Sequence, residues 1–212
     1  LELYLGLPGH GLVIVPLNVR HTAAERTYAL RDAGARVLFA DRALDGLDPD
    51  LRVVDTSTEY EALLADAEPV APLREPAEHD LAGIFYTGGT TGFPKGAVHL
   101  HHDIVYCAEY YARGVLGIAA DDRTFSVAKL FFAYGLGNAL TFPMAVGATT
   151  ILMAERATPP AVIARLTRHR PSIFYGVPTL FAALLANPEL PKRGELKLRI
   201  CASAGEALPA EI

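Results

Sequence analysis

The sequence predicts an α/β fold in which strands and helices alternate and the sheets are mainly parallel. Three observations carry that expectation. Short runs rich in Val, Ile, Leu and Phe recur along the chain, helical patterns separate them, and neither a fixed-period repeat nor a low-complexity tract interrupts the alternation. With 212 residues, 51% of them hydrophobic and 20% charged, the chain can bury a sizeable core.

In chain order, GLVIVPL (11–17) reads as a strand, Thr22 to Gly34 as a helix, RVLFA (36–40) and LRVVD (51–55) as strands, and Glu59 to Ala65 as a helix. Residues 1–66 thus form a first α/β section. AEPVAPLREPAEHD (67–80) reads as a surface connector, because its prolines and charges cannot build a strand. Residues 81–212 form the second section, opening on the apolar run LAGIF and a glycine loop. The spacing then predicts a helix from His102 to Leu116, strand RTFSVA (123–128) and a glycine-punctuated helix from Gly135 to Ala145. Strand ATTILM (148–153), a helix from Pro160 to His169, strand SIFYGV (172–177), a helix from Thr179 to Ala186 and strand LKLRICASA (196–204) complete the order.

Composition excludes several function classes. The net charge of -5 and the dispersal of Lys and Arg among acids leave no basic stripe for a nucleic acid. Cys107 and Cys201 are too few for a disulfide framework and lack metal-binding spacing, which fits a reducing cytoplasm. The opening LELYLGLPGHGLVIVPLN is interrupted by Glu2, Pro8, Gly9, His10 and Pro16, so it reads neither as a membrane span nor as a signal peptide. The chain lacks an initiator Met and stops after an apparent helix start, so an excerpt of a longer protein is expected. Oligomeric state is left open; a homo-oligomer is compatible with everything in the sequence.

YTGGTTGFPKG (86–96) concentrates glycines, hydroxyls and one cation. It is not a Walker A loop, because Pro94-Lys95-Gly96 replaces Gly-Lys-Ser/Thr, and the spacing of Gly88, Gly89 and Gly92 is not that of a Rossmann turn. Its physics still suits oxyanions: glycines let backbone N–H groups converge, Thr87, Thr90 and Thr91 add hydroxyls, and Lys95 adds positive charge. On composition alone a Gly/Thr hairpin with no ligand explains it equally well. The order of the residues decides, since the segment resembles the phosphate-loop signature of the adenylate-forming enzymes, the superfamily of acyl-CoA synthetases, peptide-synthetase adenylation domains and luciferases. Gly88 stands where many members carry Ser.

The resemblance implies an incomplete AMP-binding N-terminal domain, with the C-terminal domain absent. It also implies that ATP, Mg²⁺ and coenzyme A take part. Thr87, Gly88, Gly89, Thr90, Thr91, Gly92 and Lys95 would hold the phosphates, with Lys95 and Thr91 in the catalytic role. CASAGEAL (201–208) resembles the family segment beside the adenine, which implies nucleotide contacts from Ala204, Gly205 and Glu206; without the resemblance it reads as a strand ending in a turn with an exposed Glu.

From about Lys95 to Ile212 the chain looks specifically like benzoate-CoA ligases, in KLFFAYGLGNALTFP, GATTILMAERATP, HRPSIFYGVPTLFAALL and RICASAGEALP. That resemblance implies an aryl slot built from Phe132, Ala133, Tyr134, Gly135, Tyr175 and Gly176, flat and apolar with a phenol at one edge. The bland alternative makes Phe131, Phe132 and Phe142 ordinary core. The expected activity is ATP-dependent conversion of an aromatic carboxylic acid, benzoate first, to an acyl-adenylate and then a CoA thioester, with AMP and pyrophosphate released. The expected partners are small molecules only. The alternatives are a medium-chain acyl-CoA ligase, an adenylation module that loads a carrier protein, and a non-catalytic nucleotide-binding fragment. The 212 residues alone are expected to turn over little or nothing.

No metal site is expected from the chain's own side chains: His99, His101 and His102 point apart at a helix start and lack a spaced Cys or carboxylate partner. Tyr106, Tyr110 and Tyr111 read as a packed helix face, and Asp121-Asp122 as a solvated turn.

Overall fold

A computed structural model describes residues 1–71, 75–88 and 92–212, which divide into two compact units, Leu1–His101 and His102–Ile212. The first contains α1 (Glu2–Gly9), α2 (Ala23–Asp32), β1 (Val37–Ala40), β2 (Arg52–Asp55), α3 (Tyr60–Asp66), β3 (Leu81–Thr87) and β4 (Lys95–Leu100). Helix α2 starts on a capping box: Thr22 Oγ1 accepts from the Glu25 backbone N–H, and the Glu25 carboxylate accepts from the Thr22 N–H at 2.8 Å. The β1–β2 pair is parallel, as the alternation predicts.

Two departures mark this unit. The expected strand over 11–17 is reduced to one bridge between Ile14 and Gly83, because Pro16 has no N–H to extend a ladder. The residues before it form α1 instead, where His10 Nδ1 lies 2.8 Å from the Gly6 carbonyl oxygen. The second departure is that β3 and β4 pair antiparallel, in register Thr87↔Lys95, where the alternation led to mainly parallel sheets.

The second unit is a four-stranded parallel sheet in the order β6 (Thr149–Ile151), β5 (Arg123–Ser126), β7 (Ile173–Gly176), β8 (Ile200–Ser203). Alternation along the strands divides its two faces. Phe125 and Phe174 pack with Val162, Ile163 and Leu166 of α7 (Pro159–His169) and Leu180 and Leu184 of α8 (Pro178–Leu185). Ile173 and Tyr175 take the other face, with Ala112 and Ile118. There α4 (His101–Tyr106) passes into a π-helical stretch, Cys107–Arg113, and α5 (Ala133–Leu136) passes through another, Gly137–Thr141, into α6 (Phe142–Val146).

The second π stretch has a local cause. Pro143 has no N–H for the Ala139 carbonyl four residues back, and its ring would collide with that carbonyl in an ordinary α turn. The wider winding relieves the collision, and Phe142 N–H donates to Gly137 O instead. The orphaned Ala139 carbonyl accepts a hydrogen bond from Thr150 Oγ1 of β6 at 2.8 Å, which ties helix to sheet.

The tyrosines of the first π stretch are not a packed face. Tyr106 and Tyr110 are exposed, and the buried positions are Ala108 and Ala112. Tyr106 meets both Tyr110 and His102 at the surface, while Tyr111 packs against Phe142 with centroids 5.7 Å apart.

Candidate functional site

The phosphate-loop residues sit on the hairpin of the first unit. Thr87 ends β3 and Lys95 begins β4; both are exposed and face each other, with Thr87 Oγ1 3.4 Å from the Lys95 carbonyl oxygen. Gly88 is exposed, and Gly92 has φ +104°, a conformation that only glycine adopts without strain. Gly89, Thr90 and Thr91 lie outside the described residues.

The base of this hairpin is braced by residues that the motif does not contain. Phe93 stacks on Tyr28 of α2 with centroids 4.7 Å apart, and Tyr86 meets Tyr28 edge-on. The Tyr86 hydroxyl donates to Asp32 Oδ2 at 2.7 Å, and burial together with that carboxylate pushes its pKa well above the usual phenol value. A shallow groove of about 670 Å³ runs beside α2, lined by Thr27, Tyr28, Asp32, Gly46 and Phe93 among others. It contains none of the predicted phosphate or aryl residues. Tyr86 and Phe93 lie within the quoted motif, but their partners are more than fifty residues away, so no local pattern could disclose the brace.

The aryl-slot residues belong to the second unit. Phe132 and Ala133 are exposed, Phe132 at 42%, and Phe132 tilts against Phe131 with centroids 4.5 Å apart; neither is core. Gly135 is buried, and a Cβ there would collide with the Lys129 carbonyl oxygen. Gly176 is buried too, with the Phe181 ring filling the space a side chain would need.

Tyr134 is where the sequence reading and the geometry diverge most. Its hydroxyl lies 3.2 Å from both Gly176 O at the end of β7 and Ala202 O in β8, so the phenol stitches the helix to two strand ends and is not a free polar edge. Burial pushes its pKa up to about 12, which keeps it a neutral donor. Tyr175 is fully buried, meets Tyr134 edge-on at 6.4 Å, and has no hydrogen-bond partner for its hydroxyl among the described residues. Three predicted residues, Tyr134, Tyr175 and Gly176, therefore converge at the carboxyl ends of β7 and β8. Ala204, Gly205 and Glu206 follow β8 directly; Gly205 has φ +91°, and Gly205 and Glu206 are exposed.

Two clusters differ from their sequence reading or were missed by it. Asp121 is exposed, but Asp122 is only 6% exposed: it accepts from Arg199 Nε at 2.9 Å and Nη2, and from Ser172 Oγ at 2.6 Å. A solvated turn is therefore wrong for Asp122; the Arg199 guanidinium and Ser172 hold its pKa down at about 2. Lys129 Nζ, passed over in the sequence, donates to the carbonyls of Met153, Ala154 and Glu155. His102 pairs with Asp103 at 3.0 Å and His99 stacks edge-on against Phe85. Among the described residues no three His, Cys, Asp or Glu side chains gather to hold a metal, and no helix is long and apolar enough to cross a membrane.

Comparison with known proteins adds the following. The profile of the AMP-binding enzyme family matches residues 1–212. The benzoate–CoA ligase of Thauera aromatica is 49% identical over 224 aligned residues, covering 99% of this chain and 42% of that protein. The 4-hydroxybenzoate–CoA/benzoate–CoA ligase of Rhodopseudomonas palustris is 41% identical, again over 99% of this chain and 42% of its own length. Among solved structures, a benzoate CoA ligase from Burkholderia xenovorans superposes with a TM-score of 0.81 at 44% identity, covering 99% of this chain and 43% of that one. The chain thus spans less than half the length of each of these three proteins.

Proposed function

Because the chain belongs to the AMP-binding enzyme family, we propose that it forms part of an AMP-forming acid–thiol ligase that activates an aromatic carboxylic acid, benzoate first, and transfers it to coenzyme A. The observation that carries this reading is the 49% identity to a benzoate–CoA ligase in an alignment that covers 99% of the chain. Family membership alone would support adenylate chemistry with any acid.

In this reading a carboxylate oxygen of the acid attacks the α-phosphorus of ATP, the bond to the β-phosphate oxygen breaks, and pyrophosphate leaves. The thiol of CoA then attacks the acyl carbon, loses its proton and displaces AMP. The chain's own part in the first step is positioning and electrostatics. Thr87, Gly88, Gly92 and Lys95, with Gly89, Thr90 and Thr91, would cradle the β- and γ-phosphates, and Lys95 would offset charge on the leaving pyrophosphate. Ala204, Gly205 and Glu206 would border the nucleotide. Phe132 and Ala133 would present an apolar wall to the ring, while Tyr134, Tyr175 and Gly176 back it as scaffold. Mg²⁺ would come with the phosphates of ATP and offset their charge there.

The test is ATP–pyrophosphate exchange by the complete protein with benzoate, 4-hydroxybenzoate, 2-aminobenzoate, octanoate and acetate compared side by side. Benzoate should lead. A lead by octanoate would overturn the aryl reading and favour a medium-chain ligase; transfer to a carrier-protein thiol in place of CoA would favour a loading module. Exchange with none of the acids, despite ATP binding, would leave a nucleotide-binding protein without this chemistry. In the same assay Lys95→Ala should lower exchange about a hundredfold while leaving the fold intact, because a loop cation acts on the transition state and not on a core.

A further inference from the structure

The turn that carries Phe132, Ala133 and Tyr134 is held from behind by a lysine whose hydrogens are all engaged. Lys129 Nζ donates to Met153 O at 2.5 Å, Ala154 O at 3.0 Å and Glu155 O at 2.6 Å. An ammonium has only three N–H donors, so none is left for a substrate carboxylate or a phosphate. We propose that Lys129 is a positioning residue: it clamps the 129–135 turn to segment 153–155 and so holds the wall against which the aromatic acid would lie. The proposal rests on the function proposed above and adds a residue to which that function assigns no role.

Both ends of the clamp are anchored. On one side the Lys129 carbonyl accepts from the Phe132 N–H at 3.1 Å, and the Phe132 carbonyl accepts from the Leu136 N–H at 2.8 Å. Gly135 lies so close behind Lys129 that no other residue fits without moving the turn. On the other side Met153 is buried in the core against α7 and α8, and the Glu155 carboxylate pairs with Arg165 of α7. Hydrogen bonds from a charged donor are roughly twice as strong as neutral ones, and the Glu155 carboxylate adds its own attraction for the ammonium on the same segment. Burial also draws the Lys129 pKa below its ordinary value, consistent with an ammonium removed from bulk water. The clamp therefore reaches the slot through three residues of backbone, without touching the substrate.

A lysine that merely stabilised the fold would lower thermal stability and leave substrate selectivity alone. The experiment separates the two in the complete protein with Lys129→Met, Lys129→Gln and Lys129→Arg, which retain no donor, an amide donor pair and a charged fork respectively. The KM for benzoate should rise about tenfold in the Met variant, less in Gln and least in Arg, while the KM for ATP stays within about twofold. Hydrogen exchange at the Phe132 and Leu136 amides should quicken in the same order. An unchanged benzoate KM in a folded variant overturns the proposal, even where exchange quickens; equal rises in the benzoate and ATP constants also overturn it. If the Met variant does not fold, the order of Gln and Arg decides. If the parent protein shows no turnover that depends on an aromatic acid, the proposed function fails, and amide exchange by itself judges the clamp.

Discussion

Tyr134 has one hydroxyl hydrogen and two carbonyls within reach, Gly176 O and Ala202 O. It donates to one at a time, and removing the hydroxyl takes away the one donor the two carbonyls share in a half-buried place. Tyr134→Phe should destabilise the chain by about 1–3 kcal/mol, measured by equilibrium denaturation, because the desolvation of an unpaired acceptor outweighs the lost bond itself. An unchanged midpoint would show that water reaches the two carbonyls. Lys129 and Asp122 are likewise matched to partners, and the match, not the residue type, determines the role of each.

The Asp122–Arg199 pair works between elements. Arg199, just before β8, reaches both oxygens of Asp122, just before β5, and the Gly117 carbonyl at 2.8 Å, while Ser172 before β7 donates to Oδ1, the oxygen that Arg199 Nε also reaches. One carboxylate thus aligns the amino ends of three neighbouring strands. Its pKa is lowered to about 2 in the folded chain, against about 4 when unfolded, so the stabilisation is complete above pH about 4 and is lost as pH falls toward 2. Asp122→Asn should lower stability at neutral pH by about 2 kcal/mol, moderated by the partial exposure of Arg199, and should flatten the acid limb of the stability–pH curve. A variant that keeps the parent's acid limb would show that other carboxylates dominate it.

At the scale of the molecule, the chain covers 42% of the Thauera aromatica ligase. The candidate phosphate loop lies in one compact unit and the candidate slot in the other. We propose that the 212 residues alone, without the rest of the length those relatives carry, sustain little or no benzoyl-CoA synthesis. Comparing the isolated chain with the complete protein in the same CoA-dependent assay checks this; sustained turnover by the chain alone would sink it.

Much of this protein was legible in order and spacing alone. YTGGTTGFPKG led to the adenylate-forming family by its resemblance to that family's loop signature, and the alternation of strand and helix led to the parallel sheets because burial on both faces needs near-continuous apolar strands. Departures in the fold also had local signs once examined, as with Pro16 in the lost strand and Pro143 in the π stretch. What only the tertiary structure decided were the partnerships: Asp122 with Arg199 across 77 positions, Lys129 with carbonyls 24 to 26 positions on, and Tyr134 with strand ends 42 and 68 positions away. A hydropathy pattern records whether a side chain prefers water, but a buried charge or hydroxyl is stable only through partners that folding brings to it, and their identity is not written near it in the chain.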